Sequence, residues 1–320
     1  MAVETQNLTA FTKANLDVFS STLQELAATD RDLLVVTSDS RGSGKLVPFA
    51  EKFPNQIIEV GIAEQNLVGI AAGLASCHKK VFAVSPACFL TALALEQIKN
   101  DVAYSNNPVK IIGISAGVSY GALGSTHHSL HDFAALRAIN NLMIIAPADN
   151  YETQQAIKEA YNGDHPIYIR FGKKGMPDLK EIINNEFKLG KGRIICEGDD
   201  ALIVATGETV FPALEAALLL HEKSIQTTVI SMHTIKPLDT ELLHRLALRC
   251  RAVLTVEEHS IHGGLGEACA SYLLQSGILK PFKILGLPDD YTVTGSQQDI
   301  FNHYGINASG IATTIQSLLR

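Results

Sequence analysis

Residues 57–75 read IIEVGIAEQNLVGIAAGLA. The first four form a short apolar run broken by one glutamate. Gly61 is a turn residue, and from Ala63 onward apolar and small residues recur at helical spacing. A strand ending near Val60 and a helix starting near Ala63 put Glu64 in the first helical turn. That turn lies at the carboxyl edge of the strand, where open α/β sheets bind ligands. Gly69, Ala71, Ala72, Gly73 and Ala75 load one helix with small residues. This costs helix propensity and suits a helix closely approached by another helix or by the backbone of another chain. On spacing alone, Glu64 reads as an ordinary carboxylate favoured by a helix N-terminus.

The same alternation extends in both directions. Apolar strand candidates fall at 33–38, 57–60, 81–85, 109–115, 143–146 and 167–170, with helical patterns at 6–28, 63–76, 87–104, 131–138 and 151–161. Near-continuous Val/Ile runs suit strands covered on both faces. A second series has strands at 201–205, 227–231, 253–257 and 283–287, with helices at 210–222, 240–248 and 265–275. Residues 172–193 carry four glycines and a proline with no sustained period, and read as the linker. The expected fold is α/β in two domains, 1–185 and 186–320, each a mostly parallel sheet flanked by helices.

Composition narrows the function. The 320 residues hold 26 Lys and Arg against 33 Asp and Glu, a net charge of −7, with 46% hydrophobic residues. A mildly acidic chain without a basic run is a poor match for nucleic acid or anionic membrane. The longest apolar run, 81–95, contains Pro86 and is too short to span a bilayer. The N-terminus shows no basic region followed by an apolar stretch. The five cysteines form no CxxC pair, which fits reduced thiols. A cytoplasmic protein is expected.

Three glycine clusters, at 42–44, 190–192 and 263–266, complete neither GxGxxG nor GxxxxGK[ST]. The last precedes a helix, so it reads as either a tight turn or an anion site. No GDG followed by Asn, the pattern that holds a divalent cation against a diphosphate, is present. A second informative stretch, SAGVSYGALGSTHHSLH at 115–131, follows a strand and so also lies at the carboxyl edge. His127 and His131 would share a helix face, yet no HExxH or cysteine partner accompanies them, so no metal site is assigned.

The 61–75 segment closely resembles the GIAEQNLVGIAAGLA motif of the transketolase pyrimidine-binding domain. VEEHSIHGGLG at 256–266 is similar to the transketolase C-terminal domain. The resemblance implies the C-terminal subunit of a split transketolase, active with an N-terminal subunit that carries the diphosphate-binding domain and Mg²⁺. Two copies of each, with the homodimer contact through the pyrimidine domain, are expected. It further implies thiamine diphosphate as the shared cofactor. The glutamate matching Glu64 hydrogen-bonds the cofactor's pyrimidine N1′ and drives the tautomer that activates it. Burial among Val60, Ile62 and Leu67 is expected to help it hold a proton. His127 matches the family's active-site histidine, which donates to a substrate oxygen. Phe89 matches the aromatic residue that packs on the pyrimidine ring. Ser43 and Arg170 match ligands of the sugar phosphate.

Departures from the family pattern concentrate at the acceptor end. Leu123 stands where an acidic residue is usual, and Thr12 and Ser115 stand where phosphate ligands are usual. Ala92 replaces a second stacking aromatic residue. These differences imply a branched or modified ketose, such as apulose 4-phosphate or a sulfonated fructose. Three alternatives are a 2-oxoacid dehydrogenase beta subunit, a deoxyxylulose-phosphate-synthase-like enzyme and a non-catalytic regulatory subunit. The cluster Glu257, Glu258, His259 and His262 reads as packing and interface polar contacts.

Overall fold

A computed structural model of the chain describes residues 11–179 and 186–320. The first half runs β1 (Phe11–Ala14), α1 (Asn15–Ala27), β2 (Leu33–Thr37), α2 (Val47–Lys52), β3 (Ile57–Glu59), α3 (Glu64–Ser76), β4 (Lys80–Pro86) and α4 (Ala87–Leu93). The one-turn α5 (Leu95–Gln97) then leads into a π-helical stretch, Ile98–Tyr104. After it come β5 (Lys110–Ile114), α6 (Asp132–Arg137), β6 (Met143–Ile145), α7 (Asn150–Asn162), β7 (Ile167–Arg170) and β8 (Gly175–Pro177). The second half runs β9 (Arg193–Cys196), β10 (Ala201–Ala205), α8 (Val210–His221), β11 (Thr227–Ser231), β12 (Thr234–Lys236), α9 (Thr240–Arg249), β13 (Ala252–Ser260), α10 (Leu265–Gln275), β14 (Phe282–Leu287), α11 (Gln297–Tyr304) and α12 (Ala308–Leu318).

The strands form a seven-stranded sheet in the order β12-β6-β7-β5-β4-β2-β3 and a five-stranded sheet in the order β14-β13-β10-β11-β9. Each is parallel except for one antiparallel edge strand, β12 in the first and β9 in the second. The central strands are mostly apolar because helices cover both faces. In the larger sheet, Phe19 and Leu23 of α1 and Ile157 of α7 pack one face. Leu67, Val68 and Ala71 of α3 and Val102 pack the other. In the smaller sheet, α8 and α12 cover one face, and α9 and α10 the other. Among the described residues, no helix is long and apolar enough to cross a membrane.

The structure departs from the sequence pattern in several places, and α2, α11 and α12 are helices that the pattern does not mark. The helix expected over 6–28 is Asn15–Ala27, because 11–14 pairs with β8, and residues 6–10 lie outside the described segments. The expected linker therefore contains a strand. The helix expected over 87–104 is broken into three pieces. Leu90, Ala94, Ile98 and Val102 are all fully buried and recur at intervals of four. A 3.6-residue repeat would rotate that stripe off the core, and the wider π-helical turn keeps it there. Finally, β12 comes from the second half of the chain yet completes the first sheet.

Candidate active site

The strands β7, β5, β4, β2 and β3 are neighbours and mutually parallel, so their carboxyl ends line one edge. Each delivers side chains there: Glu64 after β3, Ser38 and Ser43 after β2, Ser85 and Phe89 at and after β4, Tyr120 and His127 after β5, and Arg170 and Lys173 at and after β7. This is the edge at which parallel sheets leave their crevice.

Glu64 begins α3. Gly61 turns the chain before it with φ +72°, a conformation natural to glycine. Glu59 Oε1 ties down that turn, accepting the backbone N–H of Asp39 (2.7 Å) and of Gly61 (3.1 Å). The Glu64 side chain is buried, at 7% exposure. Ser85 Oγ donates to its Oε1 at 3.4 Å, and Ser38 Oγ donates to Ser85 Oγ at 2.8 Å. The expected apolar surround needs correction: Leu67 is buried, but Val60 is only half-buried and Ile62 is 82% exposed. The walls that bury Glu64 therefore include the buried polar Ser85 of the neighbouring strand. Its long hydrogen bond leaves the carboxyl with capacity for a stronger partner.

Phe89 and His127 meet. Their rings lie 5.4 Å apart, edge to face at 75°. Tyr120 approaches His127 from another side, also 5.4 Å away and at 72°. Two aromatic rings thus fix the imidazole plane. The Thr126 hydroxyl lies 3.0 Å from His127 Nδ1, so Nε2 is the nitrogen left for a ligand. The Lys173 ammonium sits 4.4 Å from the Tyr120 ring centroid. Sequence reasoning assigns neither Tyr120 nor Lys173 a role. The aromatic residue in a Gly/Ser loop and the lysine just past a strand end are the available signals.

The remaining candidates have other partners. His128 is buried, with Nδ1 2.7 Å from Thr292 Oγ1 and Nε2 3.0 Å from the Gly121 carbonyl. His131 is exposed and meets Thr91 Oγ1 at 3.2 Å. The three histidines thus have three different sets of partners. Ser43 is half-buried and donates to the Ser40 carbonyl at 3.2 Å. Arg170 lies where the two halves meet. Its guanidinium is buried, 3.1 Å from Asp132 Oδ1 and 3.6 Å from Glu258 Oε2, and stacks over Phe133 at 4.4 Å. It lines a cavity with Phe133, Gly172, Glu208 and Glu258. Arg170 joins the two halves, pairing with Asp132 of the first and Glu258 of the second.

The second half contributes contacts to this edge. Glu257 fills the N-terminus of α10: its carboxylate accepts N–H from Leu265 (2.7 Å) and Gly266 (2.8 Å). The 263–266 glycine cluster therefore receives the chain's own anion. His259 stacks on Phe133 with centroids 5.0 Å apart, and burial pushes its imidazole down to about 4.

The residues present fit the pyrimidine end of thiamine diphosphate: a buried carboxyl with hydrogen-bonding capacity to spare, and a half-buried aromatic ring one crossover away. For the diphosphate end, the described residues hold no cluster of three or more metal-ligating side chains.

Comparison with known proteins agrees with this geometry. The transketolase pyrimidine-binding domain family matches residues 12–177, and the transketolase C-terminal domain family matches 190–311. One of the subunits of the apulose-4-phosphate transketolase of Phocaeicola vulgatus is 47% identical over 296 residues, covering 92% of this chain and 94% of that protein. Its namesake from Actinobacillus succinogenes is 40% identical over 290 residues, covering 90% and 92%. A solved split-gene transketolase, described as an inactive beta4 tetramer, superposes with a TM-score of 0.87 at 34% identity, covering 96% of this chain and 99% of that one. The transketolase of Campylobacter jejuni shares the fold, with a TM-score of 0.80 at 21% identity, and this chain spans 48% of its length.

Proposed function

This chain belongs to the transketolase family, as the C-terminal subunit of a split, thiamine-diphosphate-dependent enzyme, and from that premise we propose how its residues act and on what. The substrate is a branched ketose phosphate of the apulose 4-phosphate class, from which a two-carbon ketol unit passes to an aldose. Two observations support this substrate: two relatives of similar length are named for that sugar, and the exposed apolar Leu123 lies in the loop between Tyr120 and His127. The chain works in the cytoplasm with an N-terminal partner that grips the diphosphate through Mg²⁺, in a two-plus-two assembly.

Thiamine diphosphate, when bound, supplies the carbon nucleophile and the electron sink. Everything else falls to the chain. Glu64 holds a proton toward the ring nitrogen of the pyrimidine. Phe89 offers its face to the same ring. His127 uses Nε2 to hydrogen-bond the substrate's carbonyl or hydroxyl oxygen and to pass a proton to it. Arg170, with Lys173 above Tyr120 at the same edge, takes the anionic end of the sugar, and Ser43 lies on the loop that borders it.

The observation that carries this reading is the convergence of Glu64, Phe89 and His127 on one sheet edge. The test is co-purification with the neighbouring N-terminal subunit, addition of thiamine diphosphate and Mg²⁺, and a panel of ketose phosphates. We expect cleavage of apulose 4-phosphate in preference to xylulose 5-phosphate, none by this chain alone, and a loss of about a hundredfold or more in Glu64→Gln. Activity of Glu64→Gln within a few-fold of wild type would remove Glu64 from its role. Decarboxylation of pyruvate would favour the synthase-like alternative.

A further inference from the structure

Two buried carboxyls of the second half press on the two loops that form one wall of the site. Glu258 Oε1 accepts the backbone N–H of Val118 at 2.9 Å. Its carboxyl lies so close to Gly117 that a Cβ there would overlap Cδ. Gly117 and Val118 open the loop that carries Tyr120 and His127. Ser129 N–H donates to the Gly117 carbonyl at 2.8 Å, which closes that loop at its base. Glu208 stands in the same relation to Gly172, where a Cβ would overlap Oε1. Gly172 immediately precedes Lys173. Gln297, the first residue of α11, bridges the two carboxyls, donating from Nε2 to Glu208 Oε2 (2.5 Å) and to Glu258 Oε1 (2.8 Å). The Ser296–Asp299 capping box orients that helix end. A third tie lies further along the loop, where Thr292 receives both His128 and Ser125 (3.0 Å).

We infer that Glu258 and Glu208, bridged by Gln297, are positioning residues for catalysis: they hold the Tyr120–His127 loop and the Lys173 turn in register, so that the C-terminal domain sets the substrate-facing wall. The inference rests on His127 and Lys173 facing substrate, as proposed above. Geometry supports it over simple interdomain adhesion. Both glycines admit a carboxyl where any side chain would exclude it, and each contact falls at the root of a loop that reaches the site. Burial raises the proton affinity of both carboxyls, and for Glu258 the neighbouring Glu208 adds to the effect. Glu64 and Phe89 lie outside the clamp, on crossovers that it does not touch.

The experiment uses the two-subunit complex with Glu258→Ala, Glu258→Gln and Gln297→Leu. Glu258→Gln keeps an oxygen to accept the Val118 N–H. We expect kcat/KM for the ketose phosphate to fall about tenfold or more in Glu258→Ala and Gln297→Leu, because a displacement near 1 Å is costly at a reacting centre. Thiamine diphosphate affinity stays within about twofold, and Glu258→Gln recovers most of the loss. Hydrogen exchange of amides 117–130 accelerates about tenfold in Glu258→Ala while the sheet amides keep their protection. Unchanged kcat/KM in folded variants overturns the inference, as does wild-type exchange over 117–130. If Glu258→Ala does not fold, Gln297→Leu carries the same readouts. A wild-type complex that cleaves no ketose defeats the proposed function, and the exchange experiment still decides the clamp.

Discussion

Phe89 is half-buried, and its ring meets that of His127 edge to face. Phe89→Ala is expected to weaken thiamine diphosphate binding to the two-subunit complex about fivefold, the worth of one aromatic contact of ~1 kcal/mol. Calorimetric titration measures it, and an unchanged Kd would place the ring out of the cofactor's reach. Gly117 gives a second residue-level test. It has φ +60°, and Glu258 occupies the space of a side chain. Gly117→Ala should cost about 2–3 kcal/mol or more in denaturant unfolding, from strain and overpacking together. Gly42→Ala, where nothing lies within 4 Å, should stay within about 0.5 kcal/mol. Glu64 was legible as a residue because a strand, a glycine and a helix start follow one another locally. Tyr120 and Lys173 were not legible, because their relevance depends on which neighbouring strand ends they meet.

The elements were legible where the period was strong. The strands β2, β4, β5, β10 and β11 show continuous apolar runs and are buried almost throughout. Short edge strands such as β8, β9 and β12 carry no such signal, since their pairing partners lie far away in sequence. The join between β13 and α10 has a measurable consequence. Burial lifts the Glu257 carboxyl from the ordinary 4.5 to about 7, outweighing its two backbone hydrogen bonds. A group whose proton is held more tightly in the folded state stabilises fully below pH 4.5 and loses that contribution as pH rises through about 7. The shift corresponds to about 3 kcal/mol. The neighbouring His259 has the opposite sign: held down near 4, it contributes above pH 6.5 and loses that as pH falls through 4. The informative measurement is therefore a difference. Stability of Glu257→Gln relative to wild type should rise between pH 5 and 8 and be flat above that. A parallel pair of curves would contradict the assignment.

At the scale of the whole molecule, ion pairs stitch the two halves together. Arg193 of β9 is buried and reaches across to Glu152 (2.8 Å) and Asp149 (3.8 Å) at the start of α7. Removing a buried cation leaves carboxylates without their counter-charge, so Arg193→Leu should destabilise by about 3–5 kcal/mol. Thermal and denaturant unfolding check this, and a loss below about 1 kcal/mol would show the pairing to be dispensable. Arg170 works in the same way toward Asp132 and Glu258.

The amino-acid order alone determined the α/β class, the two series of strands, the strand–turn–helix that carries Glu64 and the loop that carries His127. Each of these depends on residues within about twenty positions of one another, where periodicity and turn chemistry act directly. Folding in three dimensions decided the rest: that β12 completes the first sheet, that Ser85 helps wall in Glu64, that Arg170 pairs with Asp132 and that Glu258 meets Val118 from 140 positions away. Such contacts exist only once two packed layers face each other, because a buried charge settles where partners and desolvation balance, and no local pattern encodes where that will be.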